Sequence, residues 1–248
     1  MSLNKMPPNY QWHRLIIFCF LFVLSTPSFS QEKNQSLDDL IRRSNQVYGA
    51  DDRLDFGKIY KPINMPVINH PFLISGNWNK GTIYINGIKF KNAYLKFNIA
   101  KDEIFYKGDN PSAIILTKSY IDSLRINNRL LINSNKIPVI NKMGFIELLH
   151  KGRYISYLKH KIGVTHVSTT NSISLKYMTP KFVLYMQHKD QLIIINSKKS
   201  LLHYFAPNKK DIQRFLKSNK IRFKKATWHQ LKLLLKYCDS LQTNSEIE

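Results

Sequence analysis

Hydrophobic and polar residues alternate in short runs through the middle of the chain. The run YLKFNI, from Tyr94 to Ile99, puts Leu, Phe and Ile on one side of an extended chain and Tyr, Lys and Asn on the other. This period of two is typical of a strand with one face toward a core and one toward water. Asn86-Gly87 separates two more such runs, TIYI and IKFK, and predicts a tight hairpin because both residues accept a positive φ.

Turn signals recur about every 8–12 residues in the same region. Two further hairpins are predicted, around Lys151-Gly152 and around Lys189-Asp190. No helical pattern of about 10–15 residues separates the strands, which favours an antiparallel β-meander over alternating strands and helices. The β-rich body is accordingly predicted over residues 56–196.

The hydrophobic period lengthens to that of a helix after residue 196. Ser197, Asn208 and Thr227 are residue types that commonly precede the first turn of a helix. The last of the three helices has hydrophobic residues at helical spacing: Leu231, Leu234, Leu235, Cys238 and Leu241. The helical part is predicted over residues 197–242, followed by a polar tail at 243–248.

One more helix is predicted ahead of the β-rich body, over residues 36–48, with Gly49 ending it. No long Pro-, Gly- or Ser-rich linker separates these zones. The sequence therefore predicts a single α+β domain over residues 31–242. Its antiparallel β-meander carries a short N-terminal helix and about three C-terminal helices, which cover a face or an edge of the sheet.

The first thirty residues, 1–30, follow the pattern of a secretory signal peptide. Lys5 and Arg14 give a positive start, the hydrophobic run LIIFCFLFVL follows, and small residues lead to a cut before Gln31. A ten-residue hydrophobic helix spans about 15 Å, too short for a hydrocarbon core of about 30 Å. We therefore expect an exported protein of the periplasm, cell envelope or extracellular space, with no integral membrane span in its mature chain.

Composition adds a strong positive charge to this picture. The 248 residues contain 38 Lys and Arg but 16 Asp and Glu, for a formal net charge of +22. A hydrophobic content of 43% excludes a disordered chain. Of the two cysteines, only Cys238 lies after residue 30, so a disulfide framework or a zinc ribbon is excluded.

Few residues are candidates for chemistry. The G-x-S-x-G, H-E-x-x-H, Walker A and Rossmann patterns are absent. Glu147 is an acid inside a hydrophobic strand, which suits either a general acid or base, or a carboxylate that faces solvent or pairs near Arg153. Cys238 lies on the hydrophobic side of the last helix, which favours core packing over a reactive thiol. The sequence predicts no catalytic residue, metal ligand or cofactor, and favours a non-enzymatic protein.

Several landmarks resemble an uncharacterised family of secreted proteins from Bacteroidetes. The matching segments are VYGADD (47–52), NHPF (69–72), NKGT (79–82), GFIE (144–147) and KYCDSL (236–241). The resemblance covers most of the chain after residue 30. The resemblance implies secretion, a β-rich body and C-terminal helices. No activity and no catalytic residue can be carried over from it.

The distribution of charge is the feature that bears most on function. Between Leu148 and Lys189 there are seven Lys or Arg and no Asp or Glu, with tyrosines interleaved. Cationic and aromatic side chains on one wet face of a sheet attract anionic polymers. The residues expected to form that face are Arg153, Lys159, Lys161, Lys176, Tyr157 and Tyr177. The alternative is that the positive charge only reflects a high content of lysine. Lysines scattered over all faces would bind nothing specifically.

The favoured hypothesis is a non-enzymatic secreted or envelope protein with an accessory or interaction role. One alternative is a binding module for an anionic glycan or lipopolysaccharide through the basic, Tyr-rich sheet face. Another, the least favoured, is an envelope hydrolase. The expected partners are anionic envelope polymers or another envelope protein.

Overall fold

Antiparallel strands make up most of the structure. The computed structural model describes residues 54, 57–108, 111–170 and 172–244, which belong to one unit, Asp52–Glu248. The described residues form these strands: β1 (Gly57–Ile59), β2 (Val67–Ile68), β3 (Asn79–Ile85), β4 (Ile88–Asn98), β5 (Glu103–Lys107), β6 (Ile114–Leu116), β7 (Ile121–Ile126), β8 (Arg129–Asn133), β9 (Phe145–Lys151), β10 (Ile155–Lys161), β11 (Val164–Ser168), β12 (Ile173–Tyr177), β13 (Lys181–His188) and β14 (Gln191–Ile195). They also form three helices: α1 (Lys198–Tyr204), α2 (Lys209–Ser218) and α3 (Trp228–Asn244).

The predicted class, a mostly antiparallel sheet followed by about three C-terminal helices, is confirmed. Asn86 and Gly87 have φ values of 49° and 79°, which suit the tight turn that joins β3 to β4. The other two predicted hairpins join β9 to β10 and β13 to β14. The predicted helix over residues 36–48 lies outside the described residues.

Eleven strands form one sheet in the order β1-β6-β5-β4-β3-β7-β8-β9-β10-β13-β14, and all neighbours are antiparallel. The other three strands form a second sheet in the order β11-β12-β2, which we call the small sheet. The β11–β12 hairpin leaves the large sheet after β10 and returns to it at β13. Strand β2 joins β12 in parallel, which pairs Val67 with Leu175.

The large sheet is strongly curled. Strands β4 and β9 stand four places apart in the strand order, so a flat sheet would separate them by about 19 Å. The rings of Phe97 on β4 and Phe145 on β9 nevertheless meet at 5.8 Å between centroids. The Asp102 carboxylate, in the β4–β5 turn, accepts a hydrogen bond from the Phe145 N–H at 3.1 Å. These contacts close the strands around the first hydrophobic core.

The second hydrophobic core lies between the sheet and the helices. Leu158 of β10 and Leu184 of β13 pack in it with Leu234 of α3, and all three are at most 1% exposed. The opposite face of these strands is covered by the single-turn helices around Ser134–Lys136 and Pro138–Ile140, with Ile140 in contact with the strands. The strands at this end of the sheet are therefore covered on both faces.

The helices begin at the predicted residues. Ser197 and Ser200 exchange side-chain and backbone hydrogen bonds ahead of α1, and Thr227 and Gln230 do so ahead of α3. Asn208 precedes α2 but makes no side-chain capping bond.

Candidate anion- and lipid-binding surface

The six residues expected to form one anion-binding face lie in different places. Arg153 is in the turn before β10, whereas Lys161 is the last residue of β10. A strand rises about 3.3 Å per residue, so these two cations are separated by roughly 20 Å or more. Lys176 lies on β12, in the small sheet beyond the Lys161 end.

Tyr157 and Tyr177 are buried, each about 4% exposed. Tyr157 packs in the cluster around Ile140, and its hydroxyl donates to the Gln187 Oε1 at 3.3 Å. Burial raises the pKa of both tyrosines above the usual value. Side chains alternate between the two faces of β10, but this alternation does not reveal that residues 138–140 cover the face that carries Tyr157.

Lys159 is held inside the fold by partners that are distant in sequence. Its amine contacts the Asp102 Oδ1 at 2.8 Å and donates to the Phe145 carbonyl at 3.0 Å. Lys118 pairs with the same carboxylate. These contacts satisfy the cation of Lys159, so its structural role is to tie β10 to the β4–β5 turn.

Lys161 and Lys176 remain available near the small sheet, and a third lysine lies with them. Lys161 and Lys181 are exposed and stand directly opposite each other on β10 and β13, at the base of the β11–β12 hairpin. Like charges in directly opposed positions repel each other. An anion placed between the Lys161–Lys181 pair would remove that repulsion.

One face of the small sheet is hydrophobic and open to solvent. The register places Val67, Val164, Ile173 and Leu175 on the same face, which also carries His166, Ser168 and Tyr177. Ile173 is 57% exposed, Val164 47% and Val67 45%. Of the residues in these three strands, only Tyr177 is buried. A hydrophobic sheet face is normally packed against another layer, which makes this face a candidate interaction surface.

Exposed hydrophobic side chains concentrate around this sheet. Seven of the thirteen large hydrophobic residues that are exposed in the described part of the chain belong to it or to its flanking segments: Ile63, Met65, Val67, Ile68, Val164, Ile173 and Met178. They come from residues 62–79 and 162–178. The stretches 62–79 and 162–175 contain no Lys, Arg, Asp or Glu and are the longest such stretches after residue 30.

The segments that supply the strands of the small sheet contain no acid. Its strands come from residues 56–101 and 148–189, and neither segment contains an Asp or a Glu. The second segment is recognisable as acid-free from sequence. The first becomes relevant only because β2 pairs with β12, more than one hundred residues later.

Glu147 pairs across the predicted β9–β10 hairpin, but with a partner other than Arg153. It is fully buried, and its carboxylate accepts hydrogen bonds from Arg129 Nε at 2.7 Å and from His160 Nε2 at 2.6 Å. Its partners are therefore on β8 and β10, and not near Arg153. Burial opposes its ionisation, but the bonds from His160 and Arg129 outweigh burial and hold the pKa of Glu147 below its usual value.

This ionic cluster joins β8, β9 and β10. Burial lowers the pKa of His160, against the opposing effect of Glu147, so the imidazole is neutral at pH 7. The charge of Glu147 is balanced by Arg129, with their atoms in a two-point contact. Because Glu147 has no exposed surface, it cannot reach a substrate in this conformation.

Cys238 is also structural. It is 1% exposed in the second core, and burial raises the pKa of its thiol to about 12. The described residues contain no cluster of three or more His, Cys, Asp or Glu that could hold a metal ion. In the same part of the chain, none of the helices is both long enough and hydrophobic enough to cross a bilayer.

A second basic surface lies on the helices. Residues 197–241 contain twelve Lys or Arg and two Asp, and the lysines of α2 are exposed. Among the large hydrophobic residues of this segment, Leu233 is strongly exposed. The helical surface thus contributes to the general positive charge without a hydrophobic face beside it.

No protein-family model, curated protein or solved structure matches this chain. The functional assignment therefore depends on the geometry of the small sheet and the charges around it.

Proposed function

We propose that this chain is an exported, non-enzymatic envelope protein that binds an anionic lipid through its small sheet. The observation that carries the proposal is the exposed face of Val67, Val164 and Ile173 beside the Lys161–Lys181 pair, on segments of the chain that contain no acid. Acyl chains suit the hydrophobic face, and phosphate groups suit the lysines. Lipopolysaccharide and anionic phospholipids both carry these two features.

Export is part of the proposal and is supported by the signal-peptide pattern of residues 1–30. A protein delivered to the envelope meets lipid headgroups that carry phosphate. Its net charge is +22, or +20 once residues 1–30 with Lys5 and Arg14 are removed, and it favours approach to such a surface.

The expected energies favour a lipid over a soluble polyanion. Burying a Val or Ile side chain completely contributes about 1.5–3 kcal/mol, and each Lys near an anionic membrane contributes about 1 kcal/mol. The side chains of Val67, Val164 and Ile173 are about half exposed. Burying the exposed half of each side chain in lipid would therefore contribute roughly half of the full burial energy. That amount is comparable to the contribution of each lysine. Binding should thus require both the hydrophobic face and the charge.

A non-enzymatic role is supported by the state of the candidate catalytic acid. Glu147 is buried and paired with Arg129 and His160. The same contacts explain its presence in a hydrophobic strand without reference to catalysis.

The proposal is tested by flotation of the purified protein with vesicles. Three compositions are compared: phosphatidylcholine alone, phosphatidylcholine with phosphatidylglycerol, and phosphatidylcholine with lipopolysaccharide. We expect flotation with both anionic compositions, partial loss in high salt, and little flotation with phosphatidylcholine alone. Binding to soluble heparin with no flotation on either anionic vesicle would overturn the proposal and favour an anionic glycan.

A further inference from the structure

A different surface lies on the outer face of β3, β4 and β5. Lys80, Tyr94 and Lys107 are register partners across these three strands, so they form one row. Neighbouring strands are about 4.8 Å apart, which places the two lysines about 10 Å apart with the tyrosine ring between them. Tyr94 is 50% exposed, and both lysines are exposed.

A second row lies two residues along the same face. Lys96 stands opposite Phe105, and its amine lies 4.5 Å from the centre of the Trp78 ring and 4.9 Å from that of Phe72. Burial and the neighbouring Lys107 lower the pKa of Lys96. Aromatic and cationic side chains therefore alternate in both directions across three strands.

Across the described ranges, no carboxylate forms a salt bridge with Lys80, Lys96 or Lys107. The opposite face of β4 carries Leu95 and Phe97 in the core, which fixes the strands rigidly behind the row. The row is thus a preformed surface whose charges are available to an external anion.

We propose that the row of Lys80, Tyr94 and Lys107 binds single-stranded nucleic acid. A base stacks on the exposed ring of Tyr94, and the two lysines contact the phosphates on either side. Proteins that bind single strands combine stacking side chains with a positively charged track in this way. The proposal goes beyond the lipid-binding function and concerns a separate surface.

The alternation of ring and charge favours a nucleic acid over a sulfated glycan. A glycan such as heparin offers charges to Lys80 and Lys107 but has no aromatic base to stack on Tyr94. The contribution of the Tyr94 ring is therefore the property that separates the two ligands. A diffuse attraction to positive charge would not depend on that ring at all.

The experiment measures fluorescence anisotropy of a labelled oligothymidine of about 15 nucleotides, a length near the upper end of single-domain sites. Tyr94→Ala should weaken binding about tenfold, as expected for loss of one stacked base, while Tyr94→Phe should retain it. The matched control is Tyr120→Ala, because Tyr120 is 48% exposed and lies outside the row. Heparin binding should be the same for all four proteins.

The lysines provide a second measurement that does not alter the tyrosine. Replacing both Lys80 and Lys107 by Gln should reduce the slope of log K against log salt by about 1.4, since each phosphate contact on a single strand contributes about 0.7. The same change at Lys209 and Lys210 should leave the slope nearly unchanged. Melting temperatures of all variants establish that they are folded. Equal oligonucleotide affinities of Tyr94→Ala and Tyr120→Ala, or equal slopes for the two lysine pairs, would overturn the proposal.

Discussion

At the residue scale, Glu147 shows how burial and pairing decide what a carboxylate does. An acid within a hydrophobic strand suggests a raised pKa and acid–base chemistry. The structure instead lowers its pKa, because Arg129 and His160 bond both carboxylate oxygens. Alternation places Glu147 correctly on the face of Phe145 and Leu149. It does not identify the partners, which come from strands whose register is set by the whole sheet.

The same cluster predicts that acid destabilises the fold in two steps. The pKa of His160 is lower in the folded protein than its usual 6.5, so the unfolded chain takes up a proton first as pH falls. The stability due to neutral His160 is full above about pH 6.5 and is lost as pH falls through the folded pKa. The stability due to ionised Glu147 is full above its usual 4.5 and is lost as pH falls through its lowered pKa.

Urea unfolding at pH values from 7 to 4 measures this effect. We expect the midpoint of the natural protein to fall as pH drops from 6.5 toward 4.5, above the usual pKa of Glu147. The His160→Gln variant should lose that dependence, since Gln does not titrate. Replacement of the exposed His166 by Gln is the control and should leave the pH profile unchanged. Parallel profiles for the natural protein and His160→Gln would contradict the role given to the imidazole.

At the element scale, helices and hairpins follow from local sequence where the signals are local. The last helix is recognisable from Leu231, Leu234 and Cys238, because residues three, four and seven positions apart lie on one side of a helix. The Asn86-Gly87 turn is recognisable because few other residues accept its φ values. Strand β2 is not recognisable, since its two residues become a strand only through pairing with β12.

The packing of α3 gives a direct stability prediction. Leu234 has no exposed surface and lies in the second core. Leu234→Ala should lower the free energy of unfolding by about 2–4 kcal/mol, from lost transfer energy plus a cavity. Denaturant midpoints measure the change, and Leu233→Ala, at a residue 47% exposed on the same helix, is the control. A change below about 0.5 kcal/mol for Leu234→Ala would show that α3 does not hold the sheet.

At the scale of the whole molecule, pairing and packing between distant segments decide which residues share a surface, and the sequence alone does not reveal them. The distribution of cations along residues 148–189 suggests one binding face, but the length of β10 separates Arg153 from Lys161, and the residues around Ile140 cover Tyr157. The same long-range pairing brings the uncharged segments 62–79 and 162–175 together. Neither outcome follows from a period of two along a single strand.

The proposed export supplies a prediction about residues 1–31. Cleavage before Gln31 should leave a product without a lipid attached, because no small residues precede Cys19 as a lipid attachment site requires. Intact-mass measurement of the exported protein determines both points. A mass that includes the run LIIFCFLFVL, or an acyl addition on Cys19, would contradict the prediction.

The hydrophobic face of the small sheet is the surface proposed to bind lipid, and flotation of two variants tests that role. The double variant Val164→Ser, Ile173→Ser is compared with Ile194→Ser, since Ile194 is 54% exposed on β14 of the large sheet. Both proteins keep the net charge of the natural chain. With phosphatidylglycerol vesicles, the double variant should lose at least about tenfold in affinity, as expected for two partly buried side chains, while Ile194→Ser should bind like the natural protein. Equal binding by all three proteins would show that net charge alone attracts the chain to lipid, and that the small sheet is not the binding surface.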